Sequence, residues 1–273
     1  MKKTLLALCV MALLVASCNL PSTVAPGKFE TPVVTAVSTI PSGGAVALKN
    51  VRFTLPLGVA KGAQSEVVPA VTDPNTAPWW GLAPEHLQFT LTGYQVEEVR
   101  VKPQIFVYPA DELAKVNPTA ADQIQRIKNL TAGSTLTRDA MPVVPFFNAA
   151  QQMASHMQLI DFKNGHGVRF LTQYAQYPAP INNHDLFYHF QGLTSDGKYY
   201  VVAVLPVTSS ILAENEKPES PVPAGGVPLP AGGGPDQAYY DAVTKALDAM
   251  YEDSFNPSLF QLDGLIQSIT ITP

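Results

Sequence analysis

Cysteine is almost absent from this chain. Only Cys9 and Cys18 occur in 273 residues, so everything after residue 18 folds without an internal disulfide and takes its stability from an apolar core. Charge is scarce too, at 14% of residues, and the 17 basic residues are outnumbered by 22 acidic ones. That balance makes a poor partner for a phosphate backbone and argues against nucleic acid. Past residue 18, no apolar run approaches the roughly 18 residues of a membrane-spanning helix. The common catalytic and nucleotide signatures are missing as well: there is no G-x-S-x-G, H-E-x-x-H, P-loop or G-x-G-x-x-G. No cofactor is implied by what remains.

What is present starts with an address. Lys2 and Lys3 precede an apolar run over residues 5–15, and Val15-Ala16-Ser17-Cys18 follows. The run is too short to be a permanent span. This order of charge, short apolar core, small residues and cysteine resembles the lipobox of bacterial lipoproteins. The resemblance implies export to the cell envelope, a diacylglyceryl group on the Cys18 sulfur, cleavage before Cys18 and an acylated new amino terminus. The membrane is then a partner through the lipid anchor. An ordinary cleaved signal peptide with an incidental cysteine is the plainer alternative. Without residues 1–17 the chain loses Lys2 and Lys3, leaving 15 basic against 22 acidic residues and a formal charge of −7.

Residues 18–44 are rich in Pro, Thr, Ser, Val and Ala with few large apolar side chains, the composition of a tether. Residues 33–40 have the pattern of an edge strand that Ser42-Gly43-Gly44 cuts short. A single domain is expected from residue 45 to 273, interrupted by a Pro/Gly-rich surface loop at residues 214–235, which holds no side chains suited to a core.

The expected fold class is α+β, a mostly antiparallel sheet centred on two consecutive hairpins with helices packed on it. Asp196-Gly197 reads as a type I′ turn, which would place Phe190 opposite Ala203 and Tyr188 opposite Leu205 on one face, and His189 opposite Val204 and Gln191 opposite Val202 on the other. Asn164-Gly165 would do the same for the preceding hairpin, setting Leu159 opposite Phe170 and Asp161 opposite Val168. Strands are also read at residues 51–55, 89–94, 96–102, 105–108 and 268–272, with an irregular excursion at 60–85 and a helical turn at 148–152. Helices are read from Asn117-Pro118, from Asp236 and from Asn256-Pro257. The early F-T-L-P strand and the closing L-I-Q-S-I-T-I resemble the α/β sandwich of PsbP-like proteins. That resemblance implies a non-catalytic binding or assembly module.

Two stretches stand out as recognition surfaces. The connection between the hairpins carries Tyr174, Tyr177, Asn182, Asn183 and His184 on a loop held by strands, where binding groups tend to lie. The plain reading is that the asparagines satisfy turn backbone and the tyrosines rim the core. Trp79 and Trp80, the only tryptophans, lie in a proline-flanked loop and suit stacking on a sugar ring or a partner; alternatively at least one anchors the loop. His184 and His189 are five apart, which puts them on opposite faces of one strand, and no acid is expected in register with them, so no metal site is expected. The function expected is a lipid-anchored, non-catalytic binding or assembly module with an envelope protein or glycan partner. The alternative is a secreted hydrolase assembled from scattered Ser, His and Asp.

Overall fold

A computed structural model describes residues 43–272 except Pro218 and Gly232. Cys18, residues 18–42 of the tether and the strand expected at 33–40 lie outside the described residues. In chain order the elements are β1 (Ala45–Leu48), β2 (Val51–Thr54), β3 (Gly62–Val68), β4 (His86–Thr92), β5 (Gln104–Pro109), α1 (Ala110–Val116), α2 (Pro118–Thr131), β6 (Ala150–Phe162), β7 (Gly165–Ala175), β8 (Phe187–Thr194), β9 (Tyr199–Pro206), β10 (Thr208–Ser209), α3 (Gln237–Asp248), β11 (Phe255–Asn256), α4 (Leu259–Ser268) and β12 (Thr270–Ile271). Seven strands form one antiparallel sheet in the order β3-β4-β5-β9-β8-β7-β6, so the two hairpins supply four adjacent strands and the class is α+β. A smaller sheet runs β1-β2-β12.

Alternation along the strands sorts their side chains onto two covered faces. Ile105, Val107, Tyr188, Phe190, Val201 and Ala203 join one apolar cluster with residues of α3, α4 and the small sheet. Phe106, Tyr108, Phe170, Phe187, Val202 and Val204 join a second with α1 and α2. β8 is buried along its whole length for this reason. Each such Val, Leu or Phe removed from water contributes roughly 1.5–3 kcal/mol.

The β8–β9 register is the expected one, with Phe190 opposite Ala203 and His189 opposite Val204. Its turn is not type I′. Only Gly197 there has positive φ (72°), its N–H donates to the Thr194 carbonyl, and Asp196 Oδ1 accepts from the Lys198 N–H at 3.0 Å. This is a type I turn followed by a left-handed glycine, which delivers the same register. The β6–β7 pairing differs from the expected one by two residues: Leu159 faces Val168 and Asp161 faces His166. Gly165 is already paired with Phe162, and Lys163-Asn164 forms the loop. The Asn164 amide is spent as a ladder rung on β12, accepting from the Ile271 N–H at 3.0 Å and donating to its carbonyl at 2.6 Å. A Cβ on Gly165 would overlap the Phe162 ring and the Leu193 carbonyl, so glycine is needed within the strand.

Several sequence expectations give way. Residues 60–85 contain β3, whose inward positions are Ala63, Ser65 and Val67, the first two too small to mark a strand pattern. Residues 96–102 pair with no strand, and of residues 148–152, read as a helical turn, the last three open β6. α1 stands ahead of Asn117, which does cap α2, its Oδ1 accepting from the Thr119 N–H at 3.1 Å. The last helix starts after Ser258, since Asn256 pairs with Thr208. The Pro/Gly loop also carries apolar side chains that pack. Val227 lies against the first cluster, while Val222 and Leu229 line a cavity of about 310 Å³ with Ile211, Tyr239 and Val243.

Candidate functional site

Three chain segments meet at one end of the sheet. The Arg100 N–H donates to the His184 carbonyl at 3.0 Å, the His184 N–H to the Glu214 carbonyl at 3.0 Å, and the Asn183 N–H to the Ala213 carbonyl at 2.9 Å. The loops around Arg100, Asn182 and Glu214 are therefore laced into one platform.

Asn182 is the keystone of that platform. It is wholly buried; its Oδ1 accepts from the His184 and Asp185 N–H groups, and its Nδ2 donates to the Pro180 carbonyl at 2.9 Å and to Asp185 Oδ2 at 3.0 Å. Asn183 accepts from the Ser209 N–H at 2.7 Å and donates to the Ser209 and Leu212 carbonyls. Both asparagines thus build the site: Asn182 is out of a ligand's reach, and Asn183, although half-buried, has its amide committed to backbone. This is the turn-backbone role expected of them as the plainer reading.

The platform presents a charged cluster. Asp185 is buried and bonds the Arg100 guanidinium through Nε, with Arg100 Nη2 3.4 Å from its Oδ2 and 3.3 Å from Glu216 Oε1. The hydrogen bond to Asp185 raises the Arg100 pKa above its already high ordinary value. His184 sits beside the same acid, Nδ1 to Asp185 Oδ1 at 3.0 Å. His184, Asp185 and Glu216 offer donor atoms within 4.8 Å of one another, a set suited to a cation. The Arg100 guanidinium already lies on both carboxylates, so the protein supplies the cation itself. Sequence reading missed this cluster: Glu216 stands 116 residues from Arg100, and Arg100 lies in a stretch that alternates like a strand.

Beside the cluster opens a cleft of about 430 Å³, bordered by Arg100, Asp185, Phe147, Tyr174, Gln176 and Tyr177. The Tyr174 ring stacks on Phe147 at 4.6 Å and lies 6.0 Å from Phe187. Its hydroxyl is buried with no hydrogen-bond partner among the described residues, and burial pushes its pKa up strongly. Tyr174 therefore offers the cleft its ring and not its hydroxyl. Tyr177 is 58% exposed. On the far side of the cluster a second cleft of about 630 Å³ is lined by Glu97, Glu98, His184, Glu214 and Glu216. The cavity under the Pro/Gly loop is more aliphatic, and no comparable cluster of charged and aromatic groups converges on it.

His189 does not belong to the site. It is buried on β8, its Nε2 donates to the Val144 carbonyl at 2.8 Å, and Nδ1 has no partner among the described residues. Gln191 next to it accepts from the Val144 N–H at 3.1 Å and donates to the Pro142 carbonyl at 2.7 Å. Together they fasten the proline-broken segment around Val144 to the sheet.

Trp79 and Trp80 form a short 3-10 turn and meet edge to face at 5.8 Å. Trp79 also packs on Phe146 at 5.2 Å, and its carbonyl accepts from Asn117 Nδ2 at 2.9 Å. The ring anchors its loop, the structural role weighed for it from sequence, and Trp79 is still 51% exposed. Comparison with protein-family models, characterised proteins and solved structures finds no significant match. The site's geometry is therefore what any functional reading rests on.

Proposed function

We propose that this protein is a lipid-anchored binding module of a bacterial envelope, exported by its N-terminal segment, held at the membrane through Cys18 and non-catalytic, with the cleft beside Tyr174 and Tyr177 as its recognition site. One observation carries the reading: the exposed Tyr177 ring, the part-buried Tyr174 and Phe147 rings and a half-exposed arginine border one cleft over a scaffold laced together by its own hydrogen bonds. Rigid support lowers the ordering cost of binding, which is what such a platform contributes. The lipid anchor rests on the Val15-Ala16-Ser17-Cys18 pattern. Among the described residues no helix is long and apolar enough to cross a membrane, and lipid attachment requires none.

The alternative, a hydrolase, draws on the His184–Asp185 pair, since an acid behind a histidine is part of a triad. Its nucleophile would have to meet the histidine's other nitrogen. Among the described residues no serine, threonine or cysteine side chain is hydrogen-bonded to that ring.

The test uses the full chain in its own envelope. A palmitate analogue should label the wild type and not Cys18→Ala. A photoreactive residue placed at Tyr177 should give a discrete adduct, while one at Phe260, which is 61% exposed on α4, should not. Equal adducts from both positions would overturn the site. Labelling by a serine-directed fluorophosphonate that is lost in His184→Ala would favour the hydrolase.

A further inference from the structure

The two surfaces that looked separate in sequence are joined by consecutive residues. Phe146 carries the Trp79 ring at 5.2 Å, and Phe147 carries the Tyr174 ring at 4.6 Å. Trp80, Trp79 and Phe146 form one group of rings and Phe147, Tyr174 and Phe187 another; the adjacent residues Phe146 and Phe147 join them into a stepped aromatic track whose open ends are the tryptophans and Tyr177, the latter in the cleft with Arg100 and Asp185. The track stands on fixed supports. Asn117 holds the tryptophan turn, and His189 with Gln191 holds the segment that bears the phenylalanines.

Its chemistry selects a class of ligand. Trp79, Trp80 and Tyr177 are 51%, 39% and 58% exposed, and neither indole N–H nor the Tyr177 hydroxyl is bonded to another described residue. Flat rings with free donors at their edges match a pyranose, which has an apolar C–H face and a rim of hydroxyls. An apolar peptide anchor needs a slot in which to bury, and at the tryptophan end the Trp79 and Trp80 rings lie open. At the cleft end the one Arg100 charge faces two carboxylates, Asp185 and Glu216, so the site keeps a net negative charge and an anionic ligand is disfavoured. A hydroxyl fits there, because it donates to a carboxylate and accepts from a guanidinium.

We infer that the track binds a neutral glycan strand of several sugar units, with its rings under successive sugars and the Arg100–Asp185 pair at one end. This inference rests on the binding reading of the cleft. The test titrates the purified full chain in detergent with cellohexaose, chitohexaose and maltohexaose, reading tryptophan fluorescence, with glucose and N-acetylglucosamine as single-unit controls. At least one hexasaccharide should quench or shift the emission, and bind tenfold or more tighter than its single unit. Trp80→Ala and Tyr177→Ala, each with an unchanged melting temperature, should each weaken binding by about tenfold, although the tyrosine lies at the opposite end from the fluorophores. If no hexasaccharide binds while the adduct at Tyr177 is a protein, the glycan is overturned and the binding site stands. If no adduct forms there either, both fall. Weakening by Trp80→Ala but not by Tyr177→Ala would break the single track.

Discussion

Two arginines in this chain each sit between two carboxylates, and they illustrate opposite uses of the same groups. Arg169 on β7 is 1% exposed. Its Nη1 donates to the His156 carbonyl at 2.6 Å, its Nη2 bonds Gln158, Glu252 and, at 3.4 Å, Asp263 Oδ2, while its Nε lies 3.4 Å from Asp263 Oδ1 without hydrogen-bond geometry. Asp263 in turn accepts from the Tyr188 hydroxyl at 2.9 Å. Burial raises the Asp263 pKa while the neighbouring guanidinium and that hydrogen bond oppose the rise, so the carboxylate depends on its partners to stay charged. Arg100 has a similar set, Asp185 and Glu216, but its side chain is 52% exposed and its contacts come from loops. A buried cluster of this kind binds β7 to the segment before α4 and to α4 itself. The exposed one leaves a guanidinium edge in water, where a ligand reaches it. The two histidines divide in the same way, His189 in the sheet and His184 at the platform.

The largest expected effect comes from breaking the buried cluster. Arg169→Ala leaves Asp263 without its cation in an apolar setting, so unfolding should be easier by about 3–5 kcal/mol. Arg169→Met combined with Asp263→Leu removes both charges and should recover much of that loss, as measured by urea midpoint at constant m. A double variant no more stable than Arg169→Ala would show that Asp263 is not the source of the penalty.

Next in size is the pH response of His189. Burial holds its imidazole down at about 4, from an ordinary 6.5. The unfolded chain takes up a proton as pH falls below about 6.5, and the folded chain does not until about 4. The contribution to stability is thus fully present above pH 6.5 and is lost across that window, by about 3 kcal/mol at most. Burial lowers His86 and His156 too, so wild type alone does not isolate the effect. His189→Gln keeps a side-chain donor and removes the titration. Its urea midpoint should fall less steeply between pH 7 and 4 than that of wild type, and parallel curves would refute the assignment.

What the sequence reveals follows the same division between sheet and loops. The β8–β9 register was legible because Phe190, Ala203, His189 and Val204 fall on consistent faces whichever short turn joins them. The offset in β6–β7 was not, because nothing local shows that Asn164 serves β12, 107 residues away. Even so, a shift of two keeps every side chain on its face, so the layers survive the error. β3 hid because small Ala63 and Ser65 fill two of its three inward positions, leaving Val67 as the one large apolar residue on that face. In the site, Tyr174, Tyr177 and the tryptophans were visible as aromatic residues in proline-marked loops. Arg100 was not, since its partners lie 85 and 116 residues away and only the folded chain brings them together.

The smallest effect on stability should be the most telling for function. Arg100→Ala removes a side chain that is half in water, and exposed ion pairs contribute only about 0.2–1 kcal/mol. Asp185 keeps Asn182 Nδ2 at 3.0 Å and the His184 ring at 3.0 Å, two partners where Asp263 would keep only the Tyr188 hydroxyl. The urea midpoint should therefore shift by less than about 1 kcal/mol, several-fold less than for Arg169→Ala. Binding of the hexasaccharide that wild type prefers should nonetheless weaken by about tenfold, because the cleft loses its guanidinium edge and gains unmatched negative charge from Asp185 and Glu216. Arg100→Lys restores the charge without the planar fork and should recover stability more fully than affinity. A loss of stability in Arg100→Ala matching that in Arg169→Ala would make both clusters parts of the fold, and the distinction between them would collapse. Unchanged affinity in a stable Arg100→Ala would remove the arginine from the site and leave the aromatic track to act alone.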